Sequence, residues 1–188
     1  DAGFQGLWIT VVYFLIPTLC LFPVTIWRWK YVKRGGFQLQ LTAIISGGAL
    51  FLYSTSIVYT EVVRAILLFY LTPVWGLILG RIFLGDKIST PRFIAMILAI
   101  IGMLTIFGLG AKFPLPQNLG DWLGLCSGFM WAIAMVLINK NKNHSTIELT
   151  LGFFQWSLIL SLFAAVLISP DSLPSFDKIV PVIPLMLI

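Results

Sequence analysis

Long apolar runs, each about as long as a bilayer-crossing helix, are the feature of this sequence that most limits its fold. A helix needs about 20 apolar residues to span the ~30 Å hydrocarbon core of a membrane. Six complete runs are bounded by charged or turn residues, and a seventh begins near Ile179. The six are Leu7–Trp27, Leu39–Tyr59, Val62–Leu84, Phe93–Leu109, Leu119–Ile138 and Leu149–Ile168. They predict an all-α polytopic membrane protein with about seven helices visible, the last one truncated.

The composition excludes a water-soluble domain. Hydrophobic residues make up 59% of the 188 residues, charged residues make up 10%, and the mean hydropathy is +1.00. A soluble domain of this size cannot bury so much apolar surface within its own volume. We also expect the sequence to be a fragment, because it begins at Asp1 and stops at Ile188 within an apolar run.

Basic residues concentrate in alternate loops. Nine of them share one side: Arg28, Lys30, Lys33, Arg34, Arg81, Lys87, Arg92, Lys140 and Lys142. The other side carries Lys112 and Lys178 in its loops, plus Arg64 at the mouth of the third run. By the positive-inside rule the nine face the cytoplasm. The predicted cytoplasmic loops are 28–36, 81–92 and 139–148. The net charge of +5 then needs no nucleic-acid partner, because anionic lipid headgroups favour basic residues at these positions.

Short apolar motifs follow one another between Gly48 and Gly108. They are Ala49-Leu50, Ala65-Ile66-Leu67-Leu68, Thr72-Pro73-Val74, Leu84-Gly85-Asp86-Lys87 and Gly102. This stretch resembles the EamA-type repeat of the drug/metabolite transporter superfamily, and the segment 120–140 is similar to the opening helix of a second copy. Two positions depart from the family pattern: Asp86 stands where Glu is usual, and Ala95 where we align a Gly.

The resemblance implies two five-helix repeats inserted with opposite orientation, an architecture that recurs in secondary transporters. On this model, residues 1–110 form the first EamA-like repeat without its opening helix, and residues 111–188 begin a truncated second repeat. The implied function is alternating-access transport of a small organic solute across the inner membrane. Amino acids or related metabolites are the implied solute class, and export is the favoured direction. The implied partners are that solute and membrane lipids, with no cofactor, and a homodimer stays open.

Glu61, Arg64 and Pro73 are the polar and kinking candidates of the third run. Glu61 and Arg64 are three positions apart, which places them on one helical face within pairing distance. Facing a cavity, they can bind the amino and carboxyl groups of a zwitterion, or Glu61 can take up a coupling proton. The alternative is an interfacial ion pair at a helix end. Pro73 removes a backbone hydrogen bond, which either exposes carbonyls to a solute or is tolerated in a membrane helix.

Three aromatic residues, Tyr70, Trp75 and Trp131, are candidates for lining a pathway for an aromatic or amphipathic solute. Aromatic residues of membrane helices also pack in the core or face lipid, and one sequence leaves both open. We predict no catalytic or metal-binding set. The predicted substrate pathway comprises Glu61, Arg64, Tyr70, Pro73, Trp75 and Trp131.

Two other functions compete with transport: a membrane-embedded enzyme and a seven-helix receptor. An enzyme needs paired carboxylates, a histidine-based set or metal ligands held together. The seven acidic residues lie at helix ends or in loops, and His144, the single histidine, lies in a basic loop. We therefore expect no enzymatic activity. The receptor hypothesis rests on the count of seven runs. A full-length protein with ten spans would contradict this hypothesis.

Overall fold

The computed structural model describes residues 6–85, 89–108, 116–141 and 145–168. Every regular element within these ranges is helical, so the all-α prediction is confirmed. In chain order the helices are α1 (Trp8–Trp27), α2 (Trp29–Arg34), α3 (Gly36–Tyr59), α4 (Val62–Phe69), α5 (Thr72–Leu79), α6 (Thr90–Gly108), α7 (Leu119–Lys140) and α8 (Thr146–Ile168). The predicted seventh run near Ile179 lies outside the described residues.

Five segments in the described ranges are long and apolar enough to cross a membrane. They are α1, α3, α7, α8 and Val62–Leu84, which joins α4, α5 and a π-helical turn over Gly80–Leu84. A helix suits these sequences because it satisfies every backbone polar group within the segment, which a bilayer core requires. The apolar stretch Thr90–Gly102 within α6 is shorter. The chain is thus a multi-pass integral membrane protein.

Helix ends match the predicted runs closely, with one informative difference. Helices α3, α6 and α8 each begin three residues earlier than the apolar runs Leu39–Tyr59, Phe93–Leu109 and Leu149–Ile168. The added residues are more polar than the runs they precede. A helix does not end where its side chains leave the hydrocarbon core, because its backbone hydrogen bonds still form in the headgroup region. Hydropathy therefore locates the membrane core better than it locates the helix ends.

Helix α7 packs against α3, α4 and α5. Glycines at every fourth position, Gly120, Gly124 and Gly128, let these backbones approach. A methyl group on Gly120 would lie 2.7 Å from the backbone nitrogen of Thr60. One on Gly128 would lie 2.9 Å from the carbonyl oxygen of Phe69. Lipid supplies no hydrophobic driving force for helix association. The helices are held together instead by the close packing that small residues permit.

Helix α8 packs against α3 and α1 in the same close manner. The Ser157 hydroxyl of α8 donates a hydrogen bond of 3.0 Å to the carbonyl oxygen of Gly47 in α3. A methyl group on Gly152 would lie 2.7 Å from the side chain of Ala43. Helix α3 therefore packs extensively against α7 and α8. It makes few contacts with α1 and α4, which belong to the spans before and after it in the chain.

Candidate functional site

The third span is broken in its middle, at the position where Pro73 was predicted to kink it. Helix α4 ends at Phe69, and α5 begins at Thr72. Pro73 has no N–H group to donate to the carbonyl four residues earlier, and its ring crowds that carbonyl. The Phe69 carbonyl oxygen instead accepts a hydrogen bond of 2.5 Å from the Thr72 hydroxyl. The predicted kink is therefore an interruption of two residues between α4 and α5, and the carbonyl that Pro73 leaves without a backbone donor is satisfied locally.

A cavity of about 360 Å³ lies beside this break, between the α4–α5 span and α6. Its lining residues are Leu67, Tyr70, Leu71, Pro73, Val74, Met96, Ala99, Ile100 and Gly102. Tyr70 supplies the one hydroxyl among these side chains, and Pro73 is the residue that breaks the span. Two predicted pathway residues therefore meet at one cavity. Its apolar lining suits the hydrocarbon part of a small organic molecule.

The two predicted tryptophans pack between helices and do not line this cavity. The ring of Trp75 meets that of Phe129 edge to face at 5.4 Å, joining α5 to α7. The ring of Trp131 meets that of Phe153 in the same manner at 6.5 Å, joining α7 to α8. Both geometries are those preferred by aromatic quadrupoles. The indole N–H of Trp75 is buried and finds no hydrogen-bond acceptor within the part of the chain that the structure describes.

Arg64 and Glu61, predicted as neighbours on one helical face, have different surroundings. Glu61 precedes the first turn of α4 and is exposed. Arg64 is only 8% exposed. Its guanidinium contacts the carboxylate of Asp121 at the start of α7, with a distance of 2.5 Å from its terminal nitrogen to Oδ2. The structure thus gives Arg64 a different acidic partner from the one that the spacing suggested.

Asp121 is the centre of a buried polar network at this end of the bundle. Its carboxylate, fully buried, also accepts hydrogen bonds from the Thr60 hydroxyl at 2.6 Å and from the backbone N–H of Gln117 at 2.9 Å. The Asn118 side chain caps α7 by accepting from the Asp121 N–H at 2.8 Å, and donates to the Thr60 hydroxyl at 3.0 Å. Buried charges need such partners, because desolvation would otherwise outweigh the attraction within the pair.

The role of Asp121 was not predicted. By sequence, Asp121 is one of seven acidic residues at helix ends or in loops. Two signals mark it: Asn118, three residues earlier, has the spacing of a helix N-cap, and Gly120 and Gly124 beside it begin the small-residue stripe of α7. Together they predict a helix start pressed against another helix, where a carboxylate becomes buried and requires a cation.

A second, partly buried ion pair lies at the opposite end of the bundle. Arg28, at the end of α1, contacts Glu148, in the first turn of α8, with its terminal nitrogen 2.5 Å from Oε1. The other carboxylate oxygen of Glu148 accepts from the backbone N–H of Ser145 at 3.0 Å. Helix α3 runs from the end that holds Arg28 to the end that holds Thr60. The two ion pairs therefore mark the two faces of the membrane-spanning bundle.

The structure describes residues 6–85, 89–108, 116–141 and 145–168. Among them, no group of three or more His, Cys, Asp or Glu side chains could hold a metal ion. Cys20 and Cys126 are exposed free thiols. His144 lies outside the described residues. The arrangement that remains is a broken span, an apolar cavity, one buried ion pair and one partly buried ion pair.

Comparison with known proteins gives consistent matches. A family model described as "EamA-like transporter family" matches residues 2–108. Protein RarD of Salmonella typhi is 31% identical over 83 residues, which is 41% of this chain and 28% of the relative. An uncharacterized transporter of Helicobacter pylori is 22% identical over 130 residues, 67% of this chain and 42% of the relative. The chain thus spans less than half the length of these relatives. No solved structure gives a significant match.

Proposed function

Because the chain belongs to the EamA-like transporter family, we propose that it forms part of a secondary transporter that moves a small organic solute by alternating access. The break of the Val62–Leu84 span beside a cavity is the observation that carries this proposal. Interrupted helices in the middle of the membrane are a recurring way for transporters to form a binding site. A helix interruption also gives a span a point about which its two halves can tilt.

The proposed solute is a small organic metabolite, with amino acids or related compounds as the class and export as the direction. The class and direction derive from the family resemblance. The cavity supports a solute with an apolar part, because its side chains, apart from Tyr70, offer no polar group. Its volume of about 360 Å³ lies near the lower end of the range for small-molecule pockets.

We propose further that residues 1–110 belong to the first of two inverted repeats and residues 111–188 to the second. The family match ends at residue 108, close to this boundary. Helices α1 and α8 are the proposed counterparts in the two repeats. The Arg28–Glu148 contact joins the end of α1 to the start of α8, so these helices run in opposite directions, as inverted repeats require.

The proposed orientation places loops 28–36, 81–92 and 139–148 in the cytoplasm, on one side of the inner membrane. The Arg28–Glu148 contact supports one common side for the first and third loops. Cysteine labelling tests the orientation: cysteines replacing Lys33 and Lys140 should react only from the cytoplasmic side, and one replacing Gln117 only from outside. A single clear reversal would contradict both the orientation and the inverted repeats.

Solute flux through the full-length protein in proteoliposomes tests the function. The panel contains amino acids and small metabolites, measured with and without a proton gradient and against empty liposomes. Movement of one solute class that depends on the gradient identifies a coupled carrier, and movement that does not depend on it identifies an exchanger or facilitator. A folded, inserted protein that moves nothing in the panel would refute the proposal and favour the receptor. A solute recovered in chemically altered form would favour the enzyme.

A further inference from the structure

Exposed basic and aromatic side chains gather on and beside α2, the short helix between the first two spans. We call this set the α2 surface. It comprises Trp27, Trp29, Lys30, Lys33, Arg34 and Phe37, all exposed. Among its aromatic residues, Trp27 and Phe37 are the most exposed, at 80% and 79%. An exposed patch that combines several large aromatic rings with several cations fits a partner that has both an apolar part and a negative charge.

One buried residue fixes the orientation of α2. Val32 is buried in a cluster with Leu39 of α3 and with Leu149 and Leu151 of α8. On so short a helix, anchoring one face to the bundle leaves the remaining positions turned away from it. The α2 surface is therefore held in a fixed place by the fold, at the end of the bundle that carries the Arg28–Glu148 pair.

Within the described ranges, neither ion pair involves a cation of the α2 surface. Segment 29–36 contains no Asp or Glu. Glu148, an acidic residue at this end, accepts two hydrogen bonds from Arg28 and one from the Ser145 N–H. The ammonium group of Lys33 lies over the ring of Trp29 at 5.4 Å, a contact that keeps its full charge. Lys30, Lys33 and Arg34 thus present positive charge to their surroundings.

The position along the chain sets the depth of this surface. Helix α1 ends at Trp27 and α3 begins at Gly36, so α2 lies where two apolar spans leave the hydrocarbon core. Aromatic side chains concentrate at this level of a bilayer, next to the phosphates of the lipid headgroups. Basic residues at the same level are attracted by anionic lipids.

We propose that the α2 surface is a binding site for the headgroup of an anionic phospholipid. Lys30, Lys33 and Arg34 hold the phosphate, while the rings of Trp27 and Phe37 lie against the first carbons of the acyl chains. A free phosphate ester satisfies the cations alone and leaves the exposed rings in water. The lipid satisfies both, which is why the observations favour it.

The test measures lipid binding rather than flux, so that its failure is distinguishable from failure of the transport proposal. The full-length protein in neutral detergent is titrated with phosphatidylglycerol, with phosphatidylcholine and with glycerol 1-phosphate. Two double variants of equal charge are compared: Lys30→Gln/Lys33→Gln on the α2 surface, and Arg92→Gln/Lys140→Gln as the control. The control residues are exposed and lie at the same end of the bundle.

We expect wild type to prefer phosphatidylglycerol over phosphatidylcholine, and the α2 variant to lose about 25-fold of that preference. The figure takes about fivefold for each direct contact between a lysine and the lipid phosphate, the upper end for an exposed ion pair. The control variant should stay within about threefold of wild type. Equal losses in the two variants would overturn the site, because they would report general surface charge. Glycerol 1-phosphate binding as tightly as the lipid would overturn the lipid as its ligand. Unchanged thermal unfolding of both variants in neutral detergent establishes that they fold.

Discussion

Replacement of Asp121 by Asn should cost more stability than any other single isosteric change in the described bundle. The Asp121 carboxylate is fully buried and contacts Arg64, the Thr60 hydroxyl and the Gln117 N–H. Asparagine keeps the shape but leaves a buried guanidinium facing a neutral amide. Loss of one charge from a buried pair costs about 3–5 kcal/mol. We expect a decrease of that size in the free energy of unfolding.

A double-mutant cycle separates the ion pair from the other contacts of Asp121. The variants are Asp121→Asn, Arg64→Met and the two combined, each made in the full-length protein. Unfolding is followed by titration with denaturing detergent in mixed micelles. Because the double variant buries no isolated charge, its loss should be about 2 kcal/mol smaller than the sum of the single losses. The matched control is Glu61→Gln, three positions from Arg64 but exposed, which should change stability by less than about 0.5 kcal/mol.

Additive single losses, within about 0.5 kcal/mol, would refute the reasoning. They would show that Arg64 and Asp121 contribute independently and that the contact between them carries no specific energy. A large loss from Glu61→Gln would refute it differently, because it would make Glu61 the energetic partner of Arg64.

Three further predictions concern the close helix contacts, the broken span and the second ion pair. Gly128→Leu should separate α7 from the broken span and lower stability by about 1–3 kcal/mol in the same unfolding assay, whereas Gly76→Ala, with no atom within 4 Å of the added carbon, should not lower it. Pro73→Ala should restore a continuous helix and lower solute flux at unchanged protein level, whereas Pro23→Ala, within the unbroken α1, should leave flux near wild type. Glu148→Gln should cost less than Asp121→Asn, about 1–3 kcal/mol by detergent unfolding, because its arginine partner is 22% solvent-exposed.

Each of these has a contradicting result. Equal losses of stability from the two glycine variants would show that the close contact at Gly128 of α7 makes no specific contribution to stability. Equal flux losses from the two proline variants would show that the losses come from general helix stiffness and not from the break beside Pro73. A Glu148→Gln loss larger than that of Asp121→Asn would reverse the order inferred from burial.

The spans and the break in the third span could be predicted because both follow from local properties of the chain. Apolar length decides whether a segment enters the hydrocarbon core, and the helix ends lie within three residues of the runs read from the sequence. Pro73 lacks a backbone donor wherever it stands, so its effect on a helix needs no knowledge of the neighbours. Tyr70 joins the cavity because it is adjacent to that break.

The partners of the charged and aromatic side chains could not be predicted, because they depend on how distant segments pack. Spacing rules describe neighbours on one helix, and they suggested Glu61 as the partner of Arg64. The carboxylate that Arg64 contacts is 57 positions away. Trp75 and Trp131 suit a solute pathway and a helix interface equally well by composition. Only the positions of Phe129 and Phe153 on neighbouring helices assign them to packing.

The separation between Arg64 and Asp121 has a consequence for how the protein is made. Synthesis proceeds from the N-terminus, so α4 leaves the ribosome while Asp121 is still to be translated. During that interval Arg64 must keep its charge in the aqueous or headgroup layer, where a long side chain at a helix end can reach water. Arrival of α7 supplies the carboxylate and draws the arginine into the bundle. Glu148 does the same for Arg28 when α8 arrives. In the nascent chain, Arg28 and Arg64 therefore each hold a helix end in a polar layer of the membrane. This lasts until the later helix that carries the acidic partner has inserted.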